Sequence, residues 1–93
     1  MRLEWSKRAL ADRERIFTFY WNAASRNLAD EVEAAIANRA KAIAKLTLVY
    51  RKGKGTTREC VMRRFPFLLI YRIEPGKVRV VRVLHQARSY FNR

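Results

Sequence analysis

The segment from Phe67 to Tyr90, FLLIYRIEPGKVRVVRVLHQARSY, constrains the fold more than any other stretch of the chain. Two apolar runs rich in β-branched residues flank Glu74-Pro75-Gly76-Lys77. Pro75 pre-sets φ at the first central position of a turn, and Gly76 accepts the positive φ of the second. This pattern predicts a β-hairpin of two long strands in the middle of a sheet. The second strand leads to the only histidine, His85, with Arg88 and Tyr90 just beyond it. A scaffold element thus ends in a cluster of titratable and cationic groups.

Upstream, the apolar repeat changes from two residues to 3.6. Met1 to Trp5 reads as a short edge strand, and Ser6 as the N-cap of a helix over Lys7 to Trp21. Ala9, Leu10, Ile16, Phe17, Tyr20 and Trp21 share one arc of that helix; Arg13 intrudes on it and Phe19 lies off it. Asn22 to Asn27 is a polar break in which Ser25 can cap the next helix, Leu28 to Leu46. There Leu28, Val32, Ala35, Ile36, Ile43 and Leu46 form a narrow arc interrupted by Arg39. Asp30, Glu31 and Glu33 near its start and Lys41 and Lys45 near its end complement the helix dipole. Two helices joined by a short loop form an antiparallel hairpin. Arg13 and Arg39, on inner faces, are expected to pair with acids.

Thr47 to Thr57, TLVYRKGKGTT, sets Arg51, Lys52 and Lys54 around Gly53 and Gly55, so its backbone can approach a ligand closely. Arg58 to Arg64 is a further strand, with Cys60 and Met62 on one face. Pro66 then forces a tight connection into the hairpin. The order β-α-α-β-β-β implies an α+β domain: an antiparallel sheet of about four strands with the helical hairpin packed on one face. The other face, with most of the positive charge, is left for a partner.

The charge names the kind of partner. The chain of 93 residues, read as one domain over 1–93, has a net charge of +13. Residues 1–44 hold eight basic and six acidic side chains, a net of +2; residues 45–93 hold thirteen and two, a net of +11. So one-sided a distribution points to a polyanion or an acidic surface. No apolar run approaches the roughly 18 residues of a membrane span, and no secretion signal is evident. The single cysteine, Cys60, cannot form an internal disulfide and fits a reducing compartment, so the cytoplasm is expected. Cys60 reads as a small buried hydrophobe, and neither a metal site nor a cofactor is expected.

The opening LEWSKRALAD, the helical hairpin, Gly55-Thr56-Thr57-Arg58-Glu59, PFLLIYRI and VRVVRVLHQAR occur in an order and spacing similar to the RelE/ParE superfamily of bacterial toxins. The likeness covers nearly the whole chain, and VRVVRVLHQAR looks like the family's terminal strand. It implies a small basic toxin of a type II toxin–antitoxin pair, neutralised by an acidic antitoxin whose segment wraps it. Trp5, Phe17, Tyr20 and Trp21 are then either core or seats for that partner's apolar helix. RelE-like members cut mRNA on the ribosome, whereas ParE-like members inhibit DNA gyrase. Fold resemblance does not choose between them.

Cleavage of RNA by its own 2′-hydroxyl needs a base, cations for the developing phosphorane charge and an acid for the leaving oxygen. His85 has the intrinsic pKa for either proton transfer, and Tyr90 can orient, protonate or stack on a base. Arg58, Arg63, Arg64 and Arg88 can clamp a phosphate. Arg51, Lys52 and Lys54 are the candidate contacts to RNA or the ribosome. These residues make ribosome-dependent mRNA cleavage the favoured expectation, with gyrase inhibition without catalysis as the alternative and a plain nucleic-acid-binding module third. Where ribonuclease members often carry arginine, after the first aromatic of the hairpin, the chain has Leu68, which counts against a nuclease.

Overall fold

Ser6 and Ser25 begin the two helices as expected. Each hydroxyl accepts a hydrogen bond from the backbone amide three residues on, Ala9 N at 3.0 Å and Leu28 N at 3.1 Å, satisfying donors that the first turn leaves open. The computed structural model describes residues 1–46, 51–53 and 55–86. Its elements are β1 (Arg2–Trp5), α1 (Lys7–Ala23), α2 (Arg26–Lys45), β2 (Arg51–Lys52), β3 (Arg58–Val61), β4 (Phe67–Glu74) and β5 (Lys77–His85). The break between the helices is only Ala24 and Ser25.

The strands form one sheet of five in the order β1-β5-β4-β3-β2. The β4–β5 hairpin lies inside it, with Gly76 at φ 72° in the turn. β2, β3, β4 and β5 pair antiparallel, but β1 runs parallel to β5, from Arg2 opposite Lys77 to Trp5 opposite Val80. The sheet is therefore mixed rather than purely antiparallel. A parallel neighbour requires a long crossover between the two strands, and the helical hairpin with β2–β4 provides it.

The helices cover one face. Val32, Ile36, Ala40 and Ile43 of α2 pack in a fully buried core with Cys60, Leu69, Tyr71, Val78 and Val80. Ile70 pairs with Arg82 while Tyr71 pairs with Val80, so Val81 is an extra residue in β5. This bulge keeps both Val80 and Val83 on the core side despite their odd spacing.

α1 contributes less to the core than its apolar arc implies. Among its residues only Ala9 and Asp12 are buried, while Leu10, Phe19 and Trp21 are exposed. Leu46, past the end of α2, is exposed as well. Trp5 does pack on the core, and the Arg13 guanidinium lies 4.2 Å above its ring while pairing with Glu33.

α1 serves mainly to close the edge of β5. β1 stops opposite Val80, and among the described residues no strand pairs with the rest of that edge. Ser6 N donates to Val80 O at 2.9 Å and Ser6 Oγ to Val81 O at 2.8 Å. The carboxylate of Asp12 then accepts from Val83 N at 2.9 Å. Ser6, the N-cap of α1, and Asp12 within it thus pair backbone groups of β5 that this edge would otherwise leave unsatisfied.

Candidate functional site

His85 ends β5 opposite Phe67, its ring set edge-on to the phenyl ring at 5.9 Å. It borders a cavity of about 410 Å³ between α1 and the β4–β5 pair, with Arg15, Phe19, Tyr20, Phe67 and Arg82 among its walls. The cavity is apolar on its aromatic side and cationic on the other. Asp12, buried on α1, controls the cationic side. It accepts from Arg82 Nε at 2.7 Å and Nη2 at 3.0 Å, and pairs with the Arg15 guanidinium as well as with Val83 N. The hydrogen bond to Asp12 raises the pKa of Arg82, outweighing the opposing effect of burial.

Gln86 fastens the β3–β4 connection to this end of the sheet. Its backbone amide donates to Pro66 O at 2.9 Å and its side chain to Met62 O at 3.0 Å. Arg63 and Arg64 therefore sit at the same end as His85 but open toward α2. Arg64 reaches Glu31 at 3.3 Å and lies over the Phe65 ring at 5.0 Å. Arg39, Arg63 and Arg64 line a second concavity of about 350 Å³ whose floor includes Met62 and Ala35. Arg39, expected to pair with an acid, here lines an arginine-rich hollow.

Arg58 stands apart from the others. It opens β3 in register with Tyr71, four positions along β4 from the residue opposite His85. At about 3.3 Å per residue that is roughly 13 Å along the strand, and β3 and β5 lie on opposite sides of β4. Arg58 and His85 are therefore separated both along and across the sheet rather than adjacent. Arg51 and Lys52 form β2, paired with Glu59 and Arg58; their side chains, together with Lys54, Arg88 and Tyr90, lie outside the described residues.

Sequence reasoning missed Asp12, Arg15 and Arg82. Asp12 lies about 60° from Ala9 on the helical wheel, inside the arc that is actually buried, and its neighbours Arg13 and Arg15 disguise it as part of a solvated face. Its partners Arg82 and Val83 come from β5, about seventy residues away, a separation no local pattern records.

A second electrostatic feature occupies the sheet face turned away from the helices. Glu4 is shared by Arg2 at 3.0 Å, Arg79 at 3.0 Å and Lys77 at 3.3 Å. Glu74 is shared by Arg79 at 3.2 Å, Arg72 at 3.4 Å and Lys77 at 3.8 Å. The hydrogen bond from Lys77, aided by the charges of Lys77, Arg79 and Arg2, holds the Glu4 carboxyl below its ordinary value of 4.5 despite desolvation. For Glu74, desolvation is the largest single influence and acts upward, but Arg79, Arg72 and Lys77 together outweigh it and lower the pKa. Their stabilising contribution is therefore complete above the unfolded-state value of 4.5 and is lost as the pH falls through the lower folded-state values. Thermal melts should show a fall in Tm as the pH is taken below about 4.5, and a smaller fall for Glu4→Gln. An identical acid response in the variant would remove Glu4 from this account.

The chain is thus a basic α+β domain with a helical hairpin on one sheet face and with cationic and aromatic hollows at one end. The fold matches a structure described as the chromosomal ParDE toxin–antitoxin system from P. aeruginosa, with a TM-score of 0.83 at 20% sequence identity, over 91% of this chain and 95% of that one. At sequence level, a model of the ParE toxin of type II toxin–antitoxin systems matches residues 3–90. The chain belongs to the ParE toxin family. No curated protein matches the sequence significantly. No helix among the described residues is long and apolar enough to cross a membrane, and these residues contain no group of three or more His, Cys, Asp or Glu placed to hold a metal ion.

Proposed function

We propose that this toxin binds DNA gyrase and inhibits it without catalysis, and that a cognate acidic antitoxin neutralises it. The carrying observation is the match of the ParE toxin model to residues 3–90. Two features of the fold agree with a binder. Arg58 is remote from His85, and the two guanidiniums beside the His85 cavity are already engaged by Asp12. An antitoxin has both charge and apolar surface to use: a chain at +13 favours an acidic partner, and Leu10, Phe19 and Trp21 are exposed along α1.

Ribosome-dependent mRNA cleavage is the second reading, supported by the histidine and two arginines around one cavity. Purified toxin titrated into a supercoiling reaction distinguishes the two. Under the gyrase reading supercoiling is lost, mRNA in a translating extract stays intact, and His85→Ala remains toxic on induction. Intact supercoiling together with cleaved mRNA, and relief of toxicity by His85→Ala and Arg63→Ala, would overturn it.

A further inference from the structure

The outer face of the sheet carries a regular charged lattice. Across β4, β5 and β1, one row reads Arg72, Arg79, Glu4 and the next Glu74, Lys77, Arg2. The ion pairs among these six side chains place them together on one face. Neighbouring strands lie about 4.8 Å apart and alternate residues about 6.6 Å apart, so the cations form a compact grid. Four cations share two carboxylates, a surplus of two positive charges. Arg72 stands directly across from Arg79, a like-charge pairing that costs stability by itself. At two corners of the grid the side chains of Arg2 and Arg72 are 71% and 43% exposed.

The lattice fits phosphates better than a protein surface. Protein interfaces are anchored by buried aromatic residues and arginines seated in desolvated pockets; the two rows hold no aromatic residue, and their arginines stand in ion pairs on the open sheet face. Single-stranded nucleic acid is held by aromatic stacking platforms, which the rows also lack. Sequence-independent contact with a duplex backbone requires only cations in fixed positions. Here Glu4 and Glu74 fix those positions before any ligand arrives, which reduces the ordering cost of binding. Their own negative charge opposes a phosphate, but each is outnumbered by the cations around it. We propose that this half of the outer face binds the phosphate backbone of duplex nucleic acid through Arg2, Arg72, Lys77 and Arg79. The inference goes beyond gyrase inhibition and stands whether or not gyrase is the target.

The test is fluorescence anisotropy of a labelled mixed-sequence DNA duplex titrated with the full chain over a salt series. A protein with a +13 charge binds DNA to some extent through its overall field, so the informative quantity is the dependence on salt. Each lost phosphate contact should lower the slope of log K against log salt by about one. Arg2→Gln should lower it by about one and Arg72→Gln/Arg79→Gln by about two. The control Lys41→Gln/Lys45→Gln, which removes the same charge from α2, should leave the slope unchanged. Circular dichroism establishes that each variant is folded, and Arg2→Gln, at an exposed corner, keeps the test open if the double variant is not. Equal slopes for face and control variants would overturn the proposal, as would absence of duplex binding or binding of polyglutamate with no binding of DNA.

Discussion

Asp12→Ala should lower the unfolding free energy by about 3–5 kcal/mol, the cost of removing one partner from a buried, hydrogen-bonded charge pair. Asp12 is 3% exposed and holds Arg82 through both oxygens. The same carboxylate is the acceptor for Val83 N on the open edge of β5. Truncation leaves a buried amide without a partner and a guanidinium without its counter-charge, and the two losses fall in the same place. Asp12→Asn retains the shape and one acceptor but not the charge, so a smaller loss of about 1–3 kcal/mol is expected. Urea denaturation followed by circular dichroism measures both. An alanine variant within about 0.5 kcal/mol of the parent, the range typical of ordinary surface changes, would mean that Asp12 does not hold α1 to the sheet.

Tyr71→Ala is the second large effect, about 3–5 kcal/mol from lost burial and the cavity left behind. Tyr71 is fully buried at the centre of the sheet, between Arg58 of β3 and Val80 of β5 in register. A domain of this length has a total stability of roughly 5–14 kcal/mol, so the variant should be largely unfolded at modest urea. Phe19→Ala is the matched control. It also removes an aromatic ring, but Phe19 is 62% exposed, and its stability should stay within about 0.5 kcal/mol of the parent. Comparable losses in both would contradict the placement of the core on the α2 side of the sheet. Phe19→Ala then becomes a useful probe of antitoxin binding, because weaker binding could not be ascribed to a damaged fold.

Local chemistry made much of the architecture readable. Pro75-Gly76 between β-branched runs specifies a hairpin because few residues accept those dihedral angles, and β4 and β5 follow from it. Ser6 and Ser25 mark helix starts because a hydroxyl there satisfies an otherwise open amide. The arc of Val32, Ile36 and Ile43 specifies the buried face of α2, and these residues are fully buried. α1 was legible as a helix but not in its orientation. Its apolar residues span a broad arc, and packing against β5 buried the side containing Ala9 and Asp12 while leaving Leu10 and Trp21 outside.

Of the candidate site, the sequence pointed to His85, Arg63 and Arg64 but neither to their arrangement nor to Asp12, Arg15 and Arg82. His85, Arg63 and Arg64 do gather at one end of the sheet, since Gln86 ties the β3–β4 connection to the end of β5. Arg58 is near Arg63 in sequence, yet β3 carries it away along the sheet. The clamp on Asp12 and the grid around Glu4 and Glu74 join β5 to α1 and to β1 respectively, elements from opposite ends of the chain.

By itself, then, the sequence determined the two helices, four of the five strands and their order, the superfamily resemblance and the excess of positive charge, because turn chemistry, capping, periodicity and composition act over a few residues or over the whole chain; β2, Arg51–Lys52, lies in the stretch that reads as a loop. Only the tertiary structure decided the parallel seating of β1 beside β5, the side of α1 that is buried and the grouping of cations into separate hollows and a lattice. Those features depend on contacts between residues as many as seventy-five positions apart, where burial and charge pairing outweigh any local preference.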